Sequence, residues 1–334
     1  MSAPRHGEVF RAPGCFAGWP ANYGLWIFDD GEMVLCFTVG SLARERFDDR
    51  FHLVDKSKPF TTRQARSLDG GTTWKTAPMP ATTPGGRGLS ADEHMLPGQG
   101  LRVAEAIAAE PMPPCPGGIP FTHPDFALMC ARDGLGPGCA SFFYWSTDRC
   151  HSWHGPFSLP SFGQTGLAAR TDCIVLGPHS ALLMLTANKQ DGKEGRVCAV
   201  RTDDGGTSFQ LSSFVSDEPP TGHYQIMPAS VRLPSTGTII TATRTTIPAT
   251  IVLGGQTYDK GFCVQLFRSQ DDGASFQPVH AKLAMAEKKA EHAEEADDDG
   301  SGTPTGVSRS GNPPTLTLLP DGRLGKYQSC MVSI

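Results

Sequence analysis

The chain has no run of 18 apolar residues, so no membrane-spanning helix is expected. It has no basic excess either. The formal net charge is −5, which removes the electrostatic case for a nucleic-acid partner. Ten cysteines are present but no CxxC pair, too few in 334 residues for a disulfide scaffold. Cys36, Cys173, Cys198 and Cys263 lie inside apolar runs and are expected as buried thiols. The opening residues MSAPRHGEVFRAPG carry no signal-peptide apolar core, so a cytoplasmic location is expected. The glycine pairs in DGG and GGRG lack a strand–loop–helix setting for phosphate binding. His151 and His154 have too few further ligands for zinc, so neither metal nor cofactor is expected. Long amphipathic helical patterns are scarce. What the chain does have is 38 glycines, 28 prolines and 39% hydrophobic residues, a composition suited to many short strands joined by tight turns around a core.

One short pattern occurs four times. It runs Ser67-x-Asp69-x-Gly71-x-Thr73-Trp74, Ser146-x-Asp148-x-Cys150-x-Ser152-Trp153, Thr202-x-Asp204-x-Gly206-x-Ser208-Phe209 and Ser269-x-Asp271-x-Gly273-x-Ser275-Phe276. The aspartates are 79, 56 and 67 residues apart, a period of one supersecondary unit plus variable loops. The aspartate can accept nearby backbone N–H groups and lock a turn, the glycine permits a positive φ, and the aromatic ring buries against a neighbouring unit. Cys150 stands at the glycine position of the second box, so a distorted turn is expected there. Strand-like runs flank the boxes, as in SALLMLTA and GRVCAVRT before the third and GTIITATRT and FCVQLFRS before the fourth. Repeated four-stranded antiparallel units of this kind build an all-β propeller.

The four boxes resemble the Asp-box (BNR) repeats of the sialidase superfamily, over about Val9 to Arg323. The resemblance implies a six-bladed β-propeller in which each box is the turn between the third and fourth strands of a blade, remote from the active site. Blades are expected at 8–82, 124–162, 168–217 and 224–280, and Asn312–Leu324 reads as a hairpin opening a fifth. The domain expectation is therefore one propeller over 1–334, about four blades and part of a fifth, a truncated product being favoured over a ring that closes with fewer blades. Two insertions interrupt it, at 84–122 and 281–306. The second holds seven acidic residues against three lysines and accounts for four of the five net negative charges. It is expected as a solvated loop. In the first, Glu93 and His94 are candidate pocket residues, and a loop without chemical role is the alternative.

The resemblance also implies a chemistry: three arginines on a substrate carboxylate, an aspartate acid/base, and a tyrosine nucleophile activated by a glutamate. Val9-Phe10-Arg11-Ala12-Pro13 is similar to the motif that opens the family's first blade and makes Arg11 a carboxylate-binding candidate. Asp55, 14 residues before Asp69, is the acid/base candidate, with Asp48 and Asp49 competing. The run MPASVRLPSTGTIITATRT makes Arg244 the second arginine and puts Met227 where the glutamate is expected; Glu218 and Gln225 are nearby substitutes. Asp172, at a strand start, and Arg309 are further substrate-binding candidates, while Tyr23, Tyr224 and Tyr327 are tyrosines with weaker claims. The expected partner is a sialic-acid-like or other glycan. Two functions follow: a sialidase-like exo-glycosidase, or an inactive propeller that binds glycan or protein.

Overall fold

The structure, a computed structural model, describes residues 7–42, 54, 55, 57–81, 112–247, 251–253, 256–258, 261–279, 313–318 and 324–328. Glu93, His94, Asp48, Asp49, Arg309 and the acidic insertion lie outside them. The chain forms two compact units, Met1–Glu194 with Ala199–Leu211, and Gly195–Cys198 with Ser212–Ile334.

The architecture is all-β and of the propeller class: successive antiparallel blade sheets. Sheet one contains β1 (Cys15–Gly18), β2 (Leu25–Ile27), β3 (Met33–Ser41), β4 (Thr61–Ser67) and β5 (Lys75–Pro78), in the order β1-β3-β4-β5 with β2 also pairing β3. Sheet two has β6 (Ala127–Arg132), β7 (Ser141–Ser146) and β8 (His154–Ser158). Sheet three has β9 (Leu167–Ala168), β10 (Cys173–Gly177), β11 (Ser180–Asn188), β12 (Glu194–Thr202) and β13 (Gln210–Phe214), with β9 and β10 both on β11. In the second unit, sheet four has β14 (Gln225–Arg232), β15 (Ile239–Ile247), β18 (Gly261–Ser269) and β19 (Gln277–Pro278). A short hairpin, β16 (Ile251–Leu253) with β17 (Gln256–Tyr258), rises between β15 and β18. The expected late hairpin is present as β20 (Pro314–Leu318) and β21 (Leu324–Gln328), and Leu316 packs against Ala242 and Leu266 of sheet four.

Sheet two departs from the four-stranded expectation: among the described residues it has three strands. β6 takes the place that β11 holds in sheet three, and among the described residues no inner strand flanks it. Thr171, just before β10, substitutes in part; its hydroxyl accepts the Cys130 N–H at 3.0 Å. The Pro/Gly-rich residues before β6 run instead along the third box. Ile119 donates its N–H to the Gly205 carbonyl at 3.0 Å, and Phe121 to that of Pro178 at 3.1 Å. Gly117 must be glycine here, since its φ is +85° and a Cβ would come within 2.0 Å of the Thr207 hydroxyl.

All four boxes join the last two strands of a sheet and share one bonding pattern. In the first, Ser67 donates its hydroxyl to Asp69, and Asp69 accepts the Thr73 N–H at 2.8 Å and the Thr73 hydroxyl at 2.6 Å. The same bonds recur at Asp148, Asp204 and Asp271. These bonds hold the aspartates ionised: the hydroxyl and N–H of Thr73 draw Asp69 down to about 2. Burial pushes Asp148 up, but the bonds from Ser152 and Ser146 outweigh it and bring it to about 2 as well.

Two sequence expectations need correction. The second turn is not distorted: Cys150 adopts φ 64°, and its N–H reaches the Ser146 hydroxyl at 3.1 Å as Gly71 reaches Ser67. The box aromatics are half-buried rather than enclosed, because each sits at a turn on the rim of its sheet. Trp153 lies 5.3 Å from Trp26 of sheet one, and Phe209 5.3 Å from Phe143 of sheet two, so each packs on the preceding sheet.

Candidate functional site

In each of three sheets the inner strand is interrupted away from the box, toward what we term the front of that sheet. In sheet one the break lies between β1 and β2, where Trp19 adopts φ 57° and a short 3-10 turn spans Pro20–Asn22. In sheet three it is Ala169–Asp172, between β9 and β10. In sheet four it is a bulge in β14, where the pairing shifts between Ile226 and Ala229 and Met227 adopts φ 55°. Bulges re-aim side chains, and left-handed non-glycine residues carry a cost that surrounding structure must hold in place.

The break in sheet three is fixed residue by residue. Ala169 donates its N–H to the Ser141 hydroxyl at 2.9 Å. Its carbonyl accepts the Arg132 guanidinium at 3.1 Å, and the other arm of Arg132 reaches the Asn22 side-chain oxygen at 3.2 Å. Arg132, at the end of β6 and 2% exposed, thus ties the breaks of sheets one and three together. Arg170 forks onto Glu194, and Lys189 pairs with Asp191 at 2.6 Å. The Asp172 carbonyl accepts the Met184 N–H at 2.9 Å, and the Asp172 side chain is largely buried. Burial pushes the Cys173 thiol up to about 12, with the Asp172 charge adding to it, so this is no reactive nucleophile. Beside the break, Thr186 Oγ1 and Asn188 Oδ1 are buried without a hydrogen-bond partner.

The break in sheet four is of different chemistry. Arg244 of β15 pairs across from Ile226. Its guanidinium lies 3.9 Å from the Met227 sulfur and 5.5 Å from the Tyr224 ring centroid. Gln225, fully buried, accepts the Ser216 hydroxyl at 3.1 Å. The thioether therefore occupies the place where the resemblance expects a carboxylate, with a cation and an aromatic face beside it.

The remaining candidates fall as follows. Asp55 follows an isolated bridge between Leu42 and Val54, and its N–H donates to the Ser41 carbonyl at the front end of β3. Its carboxylate accepts the Ser57 hydroxyl at 2.5 Å and N–H at 3.0 Å, with Lys58 at 3.3 Å. The Ser57 bonds first and Lys58 second hold it below the ordinary carboxylate range. Arg11 is 62% exposed and paired with Glu8 at 2.5 Å. Tyr23 is a core residue, its hydroxyl 2.6 Å from that of Thr38. Tyr327 lies on β21, whose backbone alone is described. His154 is stacked on Trp145 at 4.0 Å, and among the described residues no group of three histidine, cysteine or acidic side chains fits a metal. Sequence reasoning did not single out Arg132, Lys189 and Glu194. Their signal was a charge or amide closing an apolar run, as in ALMCAR and LTANK.

No protein-family model matches the chain, and no curated protein matches it in sequence. Solved structures do match in fold. A protein of unknown function from Dyadobacter fermentans superimposes with a TM-score of 0.58 at 15% identity, covering 95% of this chain and 76% of that one. An α-L-arabinanase of Penicillium chrysogenum, in complex with arabinobiose, gives 0.50 at 13% identity, covering 92% and 77%. A sialidase variant from Streptococcus pneumoniae gives 0.45 at 10% identity, with 77% of this chain against 51% of that one. β-Propeller glycosidases are among the neighbours, and the chain has the β-propeller fold.

Proposed function

We propose that the protein is a glycan-binding β-propeller of glycosidase type that takes a terminal acidic sugar by its carboxylate and hydrolyses it slowly or not at all. The observation that carries this reading is the break in β14, where Arg244 stands beside Tyr224 and Met227. A planar guanidinium suits a carboxylate, and an aromatic ring offers a flat face to a sugar. A thioether accepts no proton, so nothing at position 227 can activate a tyrosine nucleophile. The resemblance favours an active exo-sialidase with Asp55 as acid/base. A general acid at neutral pH needs a raised pKa, and the Ser57 bonds shift Asp55 the other way.

The test pairs binding with turnover. Calorimetry with a sialic-acid-type sugar should detect binding, and Arg244→Ala should weaken it about tenfold or more, the value of a charged hydrogen bond. Hydrolysis of a fluorogenic sialoside should stay at background. Robust turnover that Asp55→Ala abolishes would establish the exo-sialidase instead.

A further inference from the structure

We propose that the second box is a salt-sensitive latch between sheets one and two, closed by ion pairs where each of the other boxes has glycine at one or both of its left-handed positions. Two successive residues in each box adopt positive φ: Gly70 and Gly71, Gly205 and Gly206, Asp272 and Gly273, but Arg149 and Cys150 in the second. Only this box lacks glycine at both positions, and a left-handed conformation disfavours each of its residues. Both are held by sheet one or by the segment leading into β6.

Arg149 is met by charge from every element packed on it. Its guanidinium contacts Asp30 at 2.5 Å and Glu32 at 2.9 Å, from the turn between β2 and β3, and Asp125, ahead of β6, at 2.5 Å. It lies 5.2 Å from the Phe28 ring centroid. Arg66 of β4 pairs with the same Glu32 and also donates to the Arg149 carbonyl at 2.8 Å. Within the box, Asp148 is engaged by Ser152. Cys150 is wholly buried against Phe28, Val34 and Ala127, and its carbonyl accepts the Gln64 amide at 3.0 Å. Side chain and carbonyl of both strained residues are therefore spent on the neighbouring surface. Among the described residues no such set of contacts grips the first box, where glycines take the left-handed positions and the carboxylate bonds stay within the turn.

When the latch opens, Arg149 and Cys150 relax to ordinary backbone conformations and the Cys150 thiol meets solvent. Salt favours opening because it screens the partly exposed pairs at Asp30 and Asp125. Cys130, buried in the middle of β6, reports unfolding of the sheet rather than of the latch.

The test is maleimide labelling of the full chain at pH 7, with Cys150 and Cys130 quantified separately by peptide mass spectrometry. Raising salt to about 1 M, where screening reaches about 3 Å, should speed labelling of Cys150 several-fold and leave Cys130 unchanged. Arg149→Gln should raise the Cys150 rate at least about tenfold and abolish its salt dependence, as expected for loss of charge-assisted bonds. If Arg149→Gln does not fold, Asp125→Asn should give the same change at smaller size. Equal labelling of wild type and variant, or Cys150 and Cys130 rising in constant ratio, would overturn the proposal.

Discussion

The inner-strand breaks of sheets three and four sit at corresponding places and solve the same backbone problem with opposite chemistry. Around Ala169–Asp172, buried arginines and a lysine are bonded to Glu194, Asp191, Asn22 and the Ala169 carbonyl. Around Met227, one arginine faces a thioether and a ring. Buried charges that answer each other hold backbone in place, and removing one partner leaves the other stranded. Under the reading proposed above, Arg244 meets the ligand, so its loss should weigh on binding more than on the fold.

The sharpest way to break the comparison is Arg132→Met. It strands Asn22 Oδ1 and the Ala169 carbonyl, two buried acceptors, and chemical denaturation should register a loss of about 3–5 kcal/mol. Glu194→Gln, which removes the carboxylate that the buried Arg170 forks onto, should cost somewhat less, about 2–3 kcal/mol. Arg244→Met should cost less than Arg132→Met in the same assay while removing the sugar-acid binding proposed above. If Arg244→Met destabilises as much as Arg132→Met, the two arginines are of one kind and the distinction fails. Met227→Gly relieves a left-handed residue and should be neutral or stabilising by up to about 1 kcal/mol, read as a small rise in melting temperature.

Acid probes the opposite end of the blades. Asp69 and Asp148 are ionised more readily folded than unfolded, both near 2 in the native chain. Their contribution is complete above the unfolded carboxylate value of about 3.9 and disappears as pH falls toward 2. Stability should be level down to about pH 5 and decline between about pH 4 and 2. Asp69→Asn should flatten that decline; an unchanged slope would show that the boxes are not its source.

The boxes were readable in the sequence because the aspartate bonds that define them reach only two or four residues along the chain, so pattern and geometry coincide. The β-strands were readable for the same reason: runs such as SALLMLTA carry their own burial signal. The ion pairs of Arg149 were not, because Asp30 and Glu32 lie 119 and 117 residues away and only sheet packing brings them in. Arg132 looked like an ordinary strand-end arginine, and nothing local announces that it spans 110 residues to Asn22. Met227 stood out by resemblance, yet its left-handed backbone follows from a register shift that no local pattern encodes.

The contact between Trp26 and Trp153 has an optical consequence. Two indoles with centroids 5.3 Å apart and planes tilted by 58° couple their electronic transitions. The folded chain should therefore show a paired positive and negative band in circular dichroism that needs both rings and disappears in either Trp→Phe variant. The first two sheets thus carry their own spectroscopic ruler, readable without any label.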